Sequence, residues 1–471
     1  MFVINTTMEI TWLSTSLCLL FLLFAFNIFL QRRRIHPHLP PSPPAIPILG
    51  HLHLLLKPPI HRQLQNLSKK YGPIFSLRFG SSPVVIISSP STVEECFTKN
   101  DIIFANRPRL LIGKYIGYNY TTIASASYDE HWRNLHRLSA LEIFSSNRLN
   151  MFLGIRRDEI KILLHRLSQK SRDNFARVEL RPMFTELTCY ILMRMVAGKR
   201  YYGEAVDSEE GKHFQKIMRG IFELAGASNP GDFLPLLRCE EIKSEKATRN
   251  DVLLFVFNIS QIYKYCIAQI LIFAGTDTTA TTIEWAMSLL LNHPDVLKKA
   301  RAELDTHVGK DRLTEESDFP KLQYLRSIIS ETLRLFPATP LLMPHISSDN
   351  CQIGGFDIPR GTILLVNAWA IHRDPKSWKD PTSFKPERFE NEEGEAYKLL
   401  PFGLGRRACP GAGLANRVIG KRYYGEDVDF EEAKHFHEVM RGVFELAGYP
   451  IQESFFLYYG GLTLGVRRRS W

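Results

Sequence analysis

Cysteine is sparse and scattered in this chain. Its 471 residues include seven (18, 96, 189, 239, 266, 351 and 409), an odd number, and none forms a CxxC pair. This excludes a disulfide framework and a structural zinc site, and it places the body of the chain in a reducing compartment. A Gly-rich dinucleotide fingerprint and a flavin module are also lacking, so any redox work needs electrons from another protein. Lys and Arg outnumber Asp and Glu by 59 to 49, a net charge of +10. No RGG, zinc-finger or aromatic RNP pattern interleaves these cations, and nucleic acid is not expected as a partner. A hydrophobic content of 45% with 23% charged residues excludes disordered and collagen-like classes.

What is present begins with an apolar run. Ile10–Leu30 comprises 21 nearly charge-free residues, roughly 31 Å as a helix, which matches a hydrocarbon core of ~30 Å. A cleaved signal peptide and a retained anchor both fit such a run. Its length and the single preceding charge, Glu9, favour the anchor. Arg32, Arg33 and Arg34 follow, and by the positive-inside rule the remainder lies in the cytosol. Prolines at 37, 40, 41, 43, 44 and 47 then form a stiff, extended spacer. The expected plan is a membrane anchor over 1–31, a basic, proline-rich hinge over 32–48 and a catalytic domain over 49–420.

Within that domain, Ile74–Phe79 and Pro83–Ile87 flank Gly80-Ser81-Ser82 and predict a β-hairpin. Glu142–Leu167, Met183–Val196, Ile272–Leu291, Pro294–Asp305 and Leu322–Leu335 carry helical apolar spacing, and Asp357–Val366 returns to strand character. The expected fold class is mostly α with minor β. One internal repeat stands out: Gly198–Gly226 recurs as Gly420–Gly448 with 22 of 29 positions identical. Two distant copies do not make a solenoid.

The segment from Phe402 to Gly411, FGLGRRACPG, sets a cysteine in a Gly-rich loop. A lone cysteine is by default a buried free thiol, but that leaves the glycines unexplained. Gly405 and Gly411 permit close backbone approach and unusual φ values, and backbone N–H groups aimed at the Cys409 sulfur stabilise a thiolate. Arg407 beside it offers a fork to a carboxylate. A thiolate on a tight loop suits an axial haem ligand. In Glu331-Thr-Leu-Arg334, opposite charges lie at i and i+3, which alone reads as an exposed ion pair. Phe384-Lys-Pro-Glu-Arg388-Phe389 follows. Ala274-Gly275-Thr276-Asp277-Thr278-Thr279 sets an acid beside an alcohol inside an apolar helix, either as polar packing or as a proton relay.

In this order, the four segments resemble the haem loop, the ExxR and PERF motifs and the oxygen-activation motif of cytochromes P-450. Ala105–Arg109, Lys114–Ser127 and Asn367–Pro375 resemble plant microsomal members, the (iso)flavonoid hydroxylases above all. The resemblance covers about 32–238 and 261–420. It implies the cytochrome P-450 fold behind an N-terminal transmembrane helix, in the endoplasmic reticulum membrane with a cytosolic catalytic domain. Haem b would be the cofactor, with Cys409 as the iron ligand. Asp277 and Thr278 would be catalytic; Trp132, His345, Phe402, Gly405, Arg407 and Gly411 would bind the cofactor; Glu331, Arg334 and Arg388 would form a structural network. The implied partners are an NADPH-dependent cytochrome reductase, O2, the membrane and a small hydrophobic substrate of aromatic or flavonoid-like character. The implied reaction is insertion of one oxygen atom.

The chain departs from the family in three places. His136 stands where a WxxxR arginine is usual, and Arg137 points elsewhere on the helix. Several tens of residues are missing near 238–262. Beyond Gly420 the family's continuation is replaced by the tail 421–471, which carries the copy of 199–226. These departures keep a second reading open, a catalytically incompetent relic or gene-fusion product that is membrane-anchored and either haem-binding or haem-free.

Overall fold

The computed structural model describes residues 12, 15–24, 38–55, 59–170, 178–198, 230–234, 263–309, 312, 314–390 and 398–419. The shortened middle, the duplicated segment and the tail from 420 onward lie outside the described residues. So does most of the expected anchor. Among the described residues no helix is long and apolar enough to cross a membrane; residues 15–24 are helical, with Leu17, Leu19, Leu20, Phe21, Leu22 and Leu23 exposed.

The fold is mostly helical. Helix α1 (Ile60–Tyr71) leads into β1 (Ile74–Phe79) and β2 (Ser82–Ile87), an antiparallel hairpin in which Phe79 pairs with Ser82. Gly80 makes the turn at φ +55°, and a side chain there would collide with the Phe233 carbonyl oxygen. The predicted hairpin is therefore present, one residue tighter than expected. Helix α2 (Pro90–Phe97) follows, then α3 (Leu111–Tyr115) and α4 (Glu130–Glu142), the last capped by the Asp129 carboxylate on the Trp132 N–H.

The expected single helix over Glu142–Leu167 is broken. Ser145 accepts from the Arg148 N–H and starts a new helix, α5 (Ser146–Met151), before α6 (Leu153–Lys170). A serine hydroxyl that competes for backbone groups favours such a restart over continuation. Helices α7 (Leu180–Ala197), α8 (Tyr263–Asn292), α9 (Pro294–His307) and α10 (Gln323–Leu335) match the remaining helical expectations to within a few residues, except that α8 starts nine residues early.

The single strand expected over Asp357–Val366 is also divided. After β3 (His345–Ile346) and β4 (Cys351–Ile353), β5 (Phe356–Ile358) pairs only with β4, while β6 (Ile363–Val366) joins the larger sheet, ordered β1-β2-β6-β3. Pro359 has no N–H for a ladder, and Gly361 at φ +81° turns the chain between the two sheets. Helix α11 (Ala368–Ile371) is entirely buried. Finally α12 (Ala412–Ile419) sends Leu414 and Val418, one turn apart, into the same apolar cluster as Leu163, Leu187, Ile191 and Ile283. The segment after Cys409 is thus docked on α6, α7 and α8.

Two buried histidines make this packing sensitive to acid. Burial, with Arg62 and Arg373 adding to it, pushes His61 down to about 4. Burial and then Arg373 and Arg334 push His372 down to about 3. In the unfolded chain both take up a proton near 6.5, so their contribution to stability is complete above that value and drains as the pH falls towards 4 and 3. Thermal unfolding should show a melting temperature that declines steadily below pH 6.5. The His61→Phe variant, which keeps the ring contact with Trp369, should show a shallower decline.

Candidate haem-thiolate site

The sequence-predicted network is assembled around Arg334. Its Nε and Nη2 donate to the two Glu331 oxygens at 2.6 and 2.7 Å, and both side chains are fully buried. Nη1 donates to the carbonyls of His372 and Pro381 at 2.6 and 2.7 Å, and Nη2 also reaches Ser383 O at 3.3 Å. All five N–H donors are thereby used. Arg388 joins through Nε to Glu331 Oε1 at 3.3 Å, and Lys385 N donates to the same oxygen at 3.0 Å. An exposed ion pair is the wrong picture for Glu331 and Arg334.

This network stands next to the cysteine loop. The ring of His372 accepts from Leu400 N at 2.9 Å, at the start of that loop. Gly403 and Gly405 adopt φ +70° and +69°, and Cys409 N donates back to Phe402 O at 2.8 Å, closing the loop. A Cβ on Gly405 would collide with Asp101 Oδ1; the same oxygen accepts from Arg406 N at 3.0 Å. Asp101 also pairs with Arg406 Nε at 2.8 Å. It pins the loop, and nothing in its own sequence surroundings marks it.

Cys409 opens to solvent on one side. Protein packed against its other sides pushes the thiol up, and the N–H groups of Gly411 and Ala412 at the sulfur pull part of the way back. A side chain at Gly411 would lie between Phe144 Cε1 at 3.6 Å and the Cys409 sulfur at 3.8 Å.

Arg407 does not extend the free fork that the sequence led us to expect. It donates to the carbonyls of Ala105 at 2.6 Å, Ile123 at 3.2 Å and Ala126 at 2.6 Å, and it covers the Trp132 ring at 4.2 Å. Trp132 Nε1 donates to Ile123 O at 3.0 Å, and His136 stacks on its ring. Arg137 is exposed and bonds only Asn134 at 3.2 Å among its hydrogen bonds, so it does not replace the missing arginine. His345 packs on Phe97, with Nδ1 2.6 Å from Phe104 O. Arg107, which the sequence did not single out, completes this cluster: it donates to Met343 O and Pro344 O, while its Nε is buried without a partner. Burial and then the Arg407 charge push Arg107 down to about 9; burial pushes Arg407 down to about 10; burial and then Arg107 hold His345 well below its ordinary value. Cations crowded in this way favour an anion beside them.

On α8, Thr278 Oγ1 donates to Ala274 O at 2.6 Å, one turn back. Asp277 faces elsewhere: its Oδ1 accepts from Arg181 Nη2 at 2.6 Å, and Arg181 Nη1 reaches Glu284 Oε2 at 2.7 Å. Arg181 and Glu284 were not foreseen, although the seven-residue spacing of Asp277 and Glu284 puts both on one face of a helix. The Gly275 Cβ position lies 2.9 Å from Leu192 Cδ1, so this glycine serves the contact between α7 and α8.

The residues present fit a haem. The donor set offers an open sulfur flanked by two N–H groups, and a separate cationic cluster with one orphaned guanidinium nitrogen suits the acidic edge of a porphyrin.

The chain matches the Cytochrome P450 family over residues 40–258 and 264–420. It is 52% identical over 444 residues to cytochrome P450 81Q32 of Catharanthus roseus, covering 87% of this chain and 88% of that protein. It is 50% identical over 444 residues to an isoflavone 2'-hydroxylase of Glycyrrhiza echinata (86% and 88% covered) and 48% identical over 451 residues to the (+)-piperitol/(+)-sesamin synthase CYP81Q2 of Sesamum radiatum (88% and 89%). Among solved structures, a zebrafish cytochrome P450 with progesterone superposes with a TM-score of 0.65 at 27% identity, over 77% of this chain and 90% of that one.

Arg334→Lys keeps the charge but supplies three donors for five acceptors. It should lower unfolding stability by about 3–5 kcal/mol, the usual cost of breaking a buried pair. Chemical denaturation followed by circular dichroism measures this without reference to any cofactor.

Proposed function

The chain belongs to the cytochrome P450 family, and on that premise we propose that it inserts one atom of O2 into a small aromatic, flavonoid-like substrate with electrons from an NADPH-dependent reductase. The observation that carries this reading is Cys409: an open sulfur on a closed loop, with two backbone N–H groups on it. When bound, a thiolate-ligated haem supplies reductive cleavage of O2, so that RH, O2, NADPH and H⁺ become ROH, H2O and NADP⁺.

The protein's own residues then have distinct tasks. Cys409 holds the iron, and Phe402, Gly405 and Gly411 give its loop the shape to do so. Arg407 and Arg107 would offset the negative charge of the porphyrin's carboxylates, with the neutral Trp132 and His345 packed beside them. Thr278, its hydroxyl proton directed at Ala274 O, presents oxygen lone pairs to a proton donor. Asp277, 38% exposed and ion-paired with Arg181, takes up protons from solvent for transfer toward that hydroxyl. Isoflavone hydroxylases among the relatives support a flat aromatic substrate.

Membrane attachment belongs to the same proposal. Residues 15–24 are helical and expose apolar side chains around the helix, as an anchor segment does, and the basic run Arg32–Arg34 favours a cytosolic catalytic domain at the endoplasmic reticulum. The relic reading is opposed by α12, whose Leu414 and Val418 are fully packed despite the altered sequence beyond Gly420.

Membranes carrying the chain and a plant NADPH-dependent reductase, fed an isoflavone under ¹⁸O-labelled O2, should yield a product heavier by one labelled oxygen. Unlabelled product, or none with a panel of flavonoids, would count against the assignment. Asp277→Asn should slow turnover on the order of 10²-fold while leaving substrate binding spectra intact.

A further inference from the structure

The stretch Asn367–Pro375 contains a histidine that no step above uses. His372 is fully buried, and each of its polar groups is committed. Leu400 N lies 2.9 Å from Nε2, and a backbone N–H can only donate, so Nε2 is the unprotonated nitrogen. In a neutral imidazole the proton then sits on Nδ1, which lies 3.1 Å from Arg334 O and donates to it. The exchange is reciprocal: Arg334 Nη1 donates to His372 O at 2.6 Å. The ring therefore bridges the end of α10 to the first residue of the cysteine loop.

Leu400 has few other ways to be held. Pro401 follows it, has no N–H and disfavours helical backbone at Leu400. Here a side-chain acceptor, the His372 ring, meets the Leu400 N–H. From Leu400 the chain of bonds runs on: Gly403 N donates to Leu400 O at 3.3 Å, and Cys409 N donates to Phe402 O at 2.8 Å.

We propose that His372 is a positioning residue for the iron ligand: through its Nε2 bond to Leu400 N it sets the starting point of the loop that ends at Cys409, and so holds the sulfur where it ligates haem as a thiolate. This rests on Cys409 being the haem ligand.

Two substitutions separate the two ring bonds. In His372→Gln the side-chain oxygen reaches the Nε2 position and can accept from Leu400 N; in His372→Asn the amide reaches only the Nδ1 position and can donate to Arg334 O. Full-length chains in membranes would be compared by amide hydrogen exchange at Leu400 and by the fraction of ferrous–CO complex with a thiolate-type Soret band. His372→Gln should resemble the parent in both. His372→Asn should exchange about tenfold faster at Leu400, as expected for one lost buried hydrogen bond, and should shift most of its ferrous–CO complex to a neutral-ligand band at unchanged haem content. Equal behaviour of the two variants would overturn the proposal. Should His372→Asn not fold, His372→Gln decides alone: a folded variant that loses Leu400 protection and the thiolate band overturns it, and parent-like values support it. A parent lacking any thiolate-type band would defeat the Cys409 assignment instead; Leu400 exchange would still report whether His372 holds the loop.

Discussion

The Glu331–Arg334 pair is the contact on which the rest of this structure depends. Two opposite charges taken wholly out of water are stable only when every remaining donor and acceptor is met. Glu331 sits one turn from Arg334 on α10, so the pair forms locally; its other needs are met by residues 372 to 388 of the chain. The carbonyls of His372, Pro381 and Ser383 and the Arg388 side chain are drawn in because Arg334 and Glu331 require them. An irregular stretch with little regular secondary structure is thereby given one conformation. The cysteine loop hangs from the far side of that stretch.

The loop itself is over-determined at both ends. His372 meets Leu400 N, and Asp101 meets Arg406 N while leaving no room for a side chain at Gly405. A ligand loop fixed in this way presents its sulfur without paying for order when a cofactor arrives. Helix α8 carries Asp277 and Thr278, the pair proposed to handle protons. Its placement follows from packing: Gly275 lets Leu192 approach, Thr276 O accepts from the Thr188 hydroxyl, and Asp277 reaches Arg181 on α7.

Much of this was legible in the sequence, for a physical reason. Residues in short, dense motifs such as 402–411, 331–334 and 384–389 have partners nearby or chemistry that few other residue sets provide. The helices α7, α9 and α10 were legible through apolar periodicity, whereas the breaks at Ser145 and Pro359 were not, because a cap or a missing N–H overrides periodicity at a single position. Arg181, Asp101 and Arg107 escaped because their partners lie 96, 305 and 236 residues away, those of Arg107 being main-chain carbonyls. Arg407 was read from the sequence as a site residue, but its hydrogen bonds go to main-chain carbonyls, which no residue pattern announces.

The central claim is that the Cys409 sulfur, held by this framework, is the ligand of a haem. It is tested most directly by the absorption spectrum of reduced membranes carrying the full chain, with and without carbon monoxide, beside a Cys409→Ser variant. The account predicts a thiolate-type ferrous–CO Soret band in the parent and its loss in the variant. A parent spectrum typical of histidine or neutral-thiol ligation, or no haem at all, would contradict it.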